Sequence, residues 1–227
     1  MTSAARERLQ ALLGARKLAG TLTSASFRAL PDVRVVSTGV SWLDKRLGGG
    51  WRQGEISELV GTRSSGKTGL LAASLTAITA RGGVAALVDA FDRLDPLSLA
   101  QAGADLGRVL WVRGPAMTVE HARPSLIEAA LVRAIRAFDL AIRAGGFSLV
   151  ALDLTDVPTR YVRRLPWATW QRLAHANEGR PTVGLLVGNG SMGRSARGTS
   201  VTLTTTTRWI GTSDQSRRFG GFADRTG

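Results

Sequence analysis

Gly61-Thr62-Arg63-Ser64-Ser65-Gly66-Lys67-Thr68 is the stretch whose reading decides the fold. It meets the pattern G-x-x-x-x-G-K-[S/T] without a mismatch, and both flanks have the right character. Glu55 to Val60 (EISELV) reads as a short strand entering the loop, and Gly69 to Ala80 (GLLAASLTAITA) as the helix leaving it. Gly61 and Gly66 let the backbone turn tightly, so that successive N–H groups point into one anion-sized hollow. The helix behind adds unpaired N-terminal donors and the positive end of its dipole. In such a loop Lys67 reaches the outer phosphates of a nucleoside triphosphate and the Thr68 hydroxyl ligates a metal. Gly61, Thr62, Arg63, Ser64, Ser65, Gly66, Lys67 and Thr68 are therefore the candidate nucleotide-binding residues, with ATP and Mg2+ as the expected cofactors.

Working outward, apolar runs of about five residues recur at Val84 to Val88, Arg108 to Val112, Ser148 to Leu152 and Val183 to Val187. Helical stretches separate them. Pro124 to Ala144 places Ile127, Leu131, Ile135, Phe138 and Ile142 at intervals of four, four, three and four, with proline in its first turn and Gly145 at its exit. A second helix is expected over 165–176. Short apolar strands alternating with helices predict an α/β fold with a mostly parallel, twisted sheet flanked by helices and buried on both faces. Ligands of such sheets sit outside the carboxyl ends of the strands, where Asp89, Asp153 and Asn189 fall. Asp153, ending an apolar run, has the form of a Walker B acid, so the candidate metal-binding pair is Thr68 and Asp153.

The 227 residues contain no cysteine, which excludes disulfides and thiolate zinc sites and fits a reducing compartment. No apolar run reaches the length of a membrane span and no secretory signal is recognised, so the expected location is cytoplasmic and nucleoid-associated. Net charge is +13 and unevenly spread. Residues 1–30 carry five basic and one acidic side chain, residues 31–154 fourteen and twelve, and residues 155–227 eleven and four. A balanced centre with basic ends points to a polyanionic partner such as nucleic acid. The expected organisation is an N-terminal helix and linker over 1–30, a nucleotide-binding domain over 31–210 and a flexible basic tail over 211–227. Residues 3–19 are expected to form an amphipathic helix with Leu9, Leu12, Leu13 and Leu18 near one face. It packs on its own domain or docks on another protomer or partner.

Taken together, Ser37 to Asp44 (STGVSWLD), Leu47 to Gly61 (LGGGWRQGEISELVG), the loop itself, Leu87 to Pro96 (LVDAFDRLDP) and Ala104 to Leu110 resemble the RecA-type recombinase core. The likeness covers roughly residues 35–210, strongly in the first half. The short, arginine-rich chain looks most like the ImuA branch, RecA-like subunits of the bacterial translesion mutasome. That resemblance implies an accessory role in the DNA-damage response, including modulation of RecA recombination. The implied partners are an ImuB-like subunit, an error-prone polymerase, RecA itself, single-stranded or damaged DNA, and a second copy through residues 3–19. The alternative is an active DNA-stimulated ATPase with strand-exchange activity.

Departures from the family pattern bear on mechanism. Where the family has Asp-Ala-Glu after the second strand, this chain reads Asp89-Ala90-Phe91, so the glutamate that polarises water is replaced by a side chain unable to accept a proton. Asp89, Asp92 or a neighbouring chain is left to supply a base. The expectation is ATP binding with little or no hydrolysis, and a gain in hydrolysis from Phe91→Glu. Asn189 stands at the switch-amide position. The family's DNA loops shrink here to Thr155–Arg160 and to Gly190–Gly198, the latter expected to be short and flexible. Arg160, Arg163, Arg164, Arg194 and Arg197 are the candidate DNA-binding residues, with Tyr161 and Trp167 as stacking candidates.

Overall fold

The computed structural model describes residues 34–204, 207–210 and 218–222, so the expectations for residues 1–33, including the 3–19 helix, lie outside the described residues. Five strands surround the phosphate loop: β3 (Ile56–Gly61), β4 (Ala85–Asp89), β5 (Val109–Arg113), β6 (Leu149–Asp153) and β7 (Val183–Gly188). A sixth, β8 (Ser200–Leu203), has only four residues and no apolar run, and sequence reading did not find it. Together they form one sheet of order β5-β4-β6-β7-β3-β8, every neighbouring pair parallel.

Because side chains alternate across a strand, β4 and β6 each feed two cores. Ala85, Leu87, Leu149 and Ala151 join Leu70, Leu71, Leu75 and Ile78 of α2 (Lys67–Thr79). Ala86, Val88, Val150 and Leu152 meet Ile127, Leu131, Ile135, Phe138 and Ile142 of α4 (Pro124–Ala144), together with Trp170 and Leu173 of α6 (Trp167–Asn177). The α4 stripe is the one its spacing predicts. Helices α3 (Pro96–Gln101) and α5 (Thr159–Arg163) are short connectors.

Ahead of β3, a ribbon of β1 (Val35–Val36) and β2 (Trp51–Arg52) brackets α1 (Ser41–Leu47). Asp44 fastens this segment by accepting from Ser37 Oγ at 2.6 Å and Thr38 N at 2.7 Å. Burial alone would raise the Asp44 carboxyl, but these donors outweigh it and hold it below its usual range. Trp51, fully buried, donates its indole N–H to Ser74 Oγ on α2 at 3.1 Å. Strands β9 (Thr207–Ile210) and β10 (Arg218–Phe222) pair antiparallel as a separate ribbon. Part of the stretch expected as a flexible tail is thus a strand; the rest of it lies outside the described residues. Among the described residues no helix is long and apolar enough to cross a membrane.

Candidate functional site

The phosphate loop leaves the carboxyl end of β3 and closes on α2. Gly66 takes φ 92 at the helix N-cap, a left-handed backbone that favours glycine, and no side chain caps the helix. Ser65 Oγ is buried in the loop with no hydrogen-bond partner. An uncapped helix N-terminus, an orphaned hydroxyl and a buried lysine fit a triphosphate. Gly61 to Thr68 would hold it.

Lys67 is buried at the centre. Its ammonium donates to Gly61 O at 2.6 Å, to Thr62 O at 2.7 Å and to Asn189 Oδ1 at 3.1 Å. Burial pushes its pKa below the usual lysine value, against the attraction of Asp153 and Asp156. The topology accounts for these neighbours: β7 lies between β3 and β6, so Asn189, just past β7, reaches both sides. Its other amide atom, Nδ2, donates to Thr155 O at 2.6 Å, so one side chain bridges the phosphate loop and the loop after β6.

Asp153 ends β6 in register with Asp89 on one side and Val187 on the other. Burial raises its pKa; the Thr155 N–H, 2.8 Å away, opposes the rise, and the charge of Asp89 adds to it. A half-buried carboxyl held above its usual range is a group that a cation would relieve, which suits the expected Mg2+ role beside Thr68. Among the described residues no three acidic or histidine side chains cluster as a metal cage, so such an ion would complete its shell with phosphate oxygens and water.

The loop after β4 is built differently from the sequence expectation. Asp89 accepts from three backbone amides: Phe91 N at 3.3 Å, Arg93 N at 2.6 Å and Leu94 N at 2.7 Å. The Trp111 indole approaches the same carboxylate at 3.4 Å. Asp92, at φ 60, is clasped by Arg113 through two contacts of 2.7 Å, which lowers its pKa. Phe91 is 2% exposed and belongs to the α4 core, and it also lines a small hollow with Asp89, Asp153 and Asp156. Both carboxylates left as candidate bases are thus occupied, one by amides and one by a guanidinium. Position 91 is a packing position.

Glu58 was missed by sequence reading, although a carboxylate within an otherwise apolar strand was the available signal. It is 1% exposed and accepts from Ser191 Oγ, Met192 N and Ser200 Oγ, each at 2.8 Å. Ser195 adds a second anchor, its N–H donating to Ile56 O at 2.9 Å and its Oγ accepting from Ile56 N at 2.8 Å. Gly198 lies so close to Ile56 O that a Cβ there would overlap it. The 190–198 loop, expected to be flexible, is pinned on β3.

The candidate DNA-binding arginines separate into two kinds. All five are exposed, and they differ in what they touch; Arg160 stacks over Tyr161 at 4.9 Å. Arg164 reaches Glu128 at 3.6 Å, and Arg194 turns back to the carbonyls of Ser195, Ala196 and Gly198. Tyr161 is core, whereas Trp167 is 60% exposed at the start of α6. Both groups lie on segments that follow the carboxyl ends of β6 and β7, the edge of the sheet where the phosphate loop opens.

The RecA N-terminal domain family matches residues 17–144. "Protein RecA" of Synechococcus sp. (strain CC9605) is 45% identical over 78 residues, which is 34% of this chain and 21% of that relative. The same protein of Parasynechococcus marenigrum (strain WH8102) and of Prochlorococcus marinus (strain MIT 9211) matches to the same extent. The chain therefore spans about a fifth of the length of the curated relatives it matches.

Proposed function

Because this chain belongs to the RecA N-terminal domain family, we propose that it is a nucleotide-binding accessory protein of bacterial DNA-damage tolerance and recombination, not a motor. One observation carries the reading. The phosphate loop is complete, while the loop after β4 sends Phe91 into the core and commits Asp89 and Asp92 to other partners. Lys67, the loop amides and the Ser65 hydroxyl bind the triphosphate; Thr68 and Asp153 hold Mg2+, which neutralises phosphate charge when bound. Among the described residues Phe91 cannot take a proton from water, and Asp89, Asp92 and Asp156 are held by amides or a guanidinium, so turnover stays near background. Asn189 then serves as a sensor, since its two amide atoms join Lys67 to the loop after β6.

The finer reading is an ImuA-like subunit of a translesion mutasome. It acts with an ImuB-like subunit, an error-prone polymerase and RecA, and binds single-stranded or damaged DNA through Arg160, Arg163, Arg164, Arg194 and Arg197. The two exposed loop groups and the basic charge of residues 155–227 support DNA contact of a phosphate-dominated kind. Self-association through residues 3–19 belongs to the same reading. The test is steady-state phosphate release with and without single-stranded DNA, alongside an ATP titration. Binding without stimulated turnover is expected. Brisk DNA-stimulated turnover would instead establish an active recombinase-type ATPase.

A further inference from the structure

Arg93 and Asp156 face each other across the carboxyl edge of the sheet, the first from the loop after β4, the second from the loop after β6. Arg93 Nε lies 2.8 Å from Asp156 Oδ2, and Arg93 Nη2 donates to Met117 O at 2.8 Å. Both line the small hollow that also holds Asp89, Phe91, Asp153 and Thr155. Asn189 ties the Lys67 ammonium to the carbonyl of Thr155, the residue before Asp156 and a lining residue of the same hollow, and the charge of Asp156 favours the ammonium form. One carboxylate thus pairs with an arginine and acts by its charge on the lysine of a phosphate loop, the two cations an outer phosphate would meet.

We propose that Asp156 is an internal stand-in for the γ-phosphate and that Arg93 reads that phosphate when nucleotide binds, so that the pair sets the preference of the site for triphosphate over diphosphate. The inference rests on the nucleotide-binding reading above and names two residues that reading leaves unused. Exchange of partners is physically easy. The side chains are 45% and 38% exposed, and ion pairs of that exposure contribute little to stability. Arg93 keeps its Met117 anchor when Asp156 is displaced, and the amides of Arg93 and Leu94 remain fixed on Asp89, so the guanidinium stays aimed at the hollow. A guanidinium takes phosphate oxygens bidentately at least as well as a carboxylate. Asp156, in turn, repels the incoming γ-phosphate until it moves away. The β-phosphate of a diphosphate, held by the loop amides, depends on neither residue.

The experiment is calorimetric titration of the full chain with ATP and with ADP, each with Mg2+, using the parent, Asp156→Asn, Arg93→Gln and Lys67→Ala, with melting curves to establish that each is folded. Asp156→Asn is expected to tighten ATP about tenfold and ADP by less than about threefold; Arg93→Gln is expected to weaken ATP about tenfold and leave ADP nearly unchanged. Equal shifts for ATP and ADP in either variant would overturn the assignment, as would unchanged or weaker ATP binding by Asp156→Asn. If the parent binds ATP and loses it with Lys67→Ala while the other two variants match the parent, the Arg93–Asp156 assignment fails and the nucleotide reading stands. If neither parent nor Asp156→Asn binds either nucleotide while both remain folded, both fail.

Discussion

Phe91→Glu separates a missing catalytic base from a rebuilt loop. The family pattern alone says that restoring glutamate restores hydrolysis. The structure says otherwise, because position 91 is 2% exposed and packed into the cluster of Ile127, Leu131 and Phe138. Removing a buried phenylalanine side chain costs about 3–5 kcal/mol. A carboxylate in its place either stays buried without a partner or opens the loop, which forfeits amide bonds to Asp89 such as those from Arg93 N and Leu94 N. A loss of about 3–5 kcal/mol lowers Tm by roughly 6–20 °C for a chain of 150–250 residues. Phe91→Leu, which keeps the site apolar, costs about 1 kcal/mol. The assays are thermal melting of the three proteins and phosphate release at saturating ATP. The expected result is a large Tm loss for glutamate, a small one for leucine, and no gain in turnover for either. A glutamate variant melting within about 3 °C of the parent and hydrolysing ATP about a hundredfold faster, the scale of a positioned general base, would refute the reasoning.

Glu58→Ala leaves three donors of the 191–200 segment unpaired and should cost about 2–3 kcal/mol. Trypsin cleavage at Arg194 and Arg197 should quicken, with Glu58→Gln intermediate; an unchanged cleavage rate would show that the loop is held by other contacts. Asp153→Asn tests the raised carboxyl. A raised native pKa means that the folded state binds more protons than the unfolded between 3.8 and the native value, so the parent loses stability as pH climbs through that window. Melting without nucleotide or Mg2+ should therefore show the variant gaining on the parent from acid to neutral pH; a pH-independent gap would contradict the burial argument. If Arg160, Arg163 and Arg197 touch phosphates, log affinity for single strands should fall with log salt at a slope near about −2, roughly 0.7 per contact. Arg163→Ala should then reduce the slope by about that much, and salt-insensitive binding would remove these residues from the interface.

Much of the fold was legible because its signals are local. The α4 stripe recurs within one helix, and the runs ending at Asp89 and Asp153 are each a few residues long. β8 was not legible: its four residues, Ser200–Leu203, are strand only because β3 offers them a parallel edge. The candidate site divides in the same way. Gly61 to Thr68 could be assigned without other segments, since a glycine-rich turn, its amides and the lysine are contiguous and the helix they open follows at once. What those residues face could not. Lys67 meets Asn189 across 122 residues, Glu58 holds Ser191 across 133, and Arg93 finds Asp156 only because β4 and β6 are neighbours in the sheet. The sequence by itself determined that this protein has a parallel α/β sheet and a glycine-rich loop of the phosphate-binding pattern opening a helix, because backbone hydrogen bonding and side-chain period act over a few residues. Only the tertiary structure decided that Phe91 is core, that Asp89 is spent on its own loop and Asp92 on Arg113, and that Asn189 meets the ammonium of Lys67, because such contacts come from segments that strand order, not chain order, brings together.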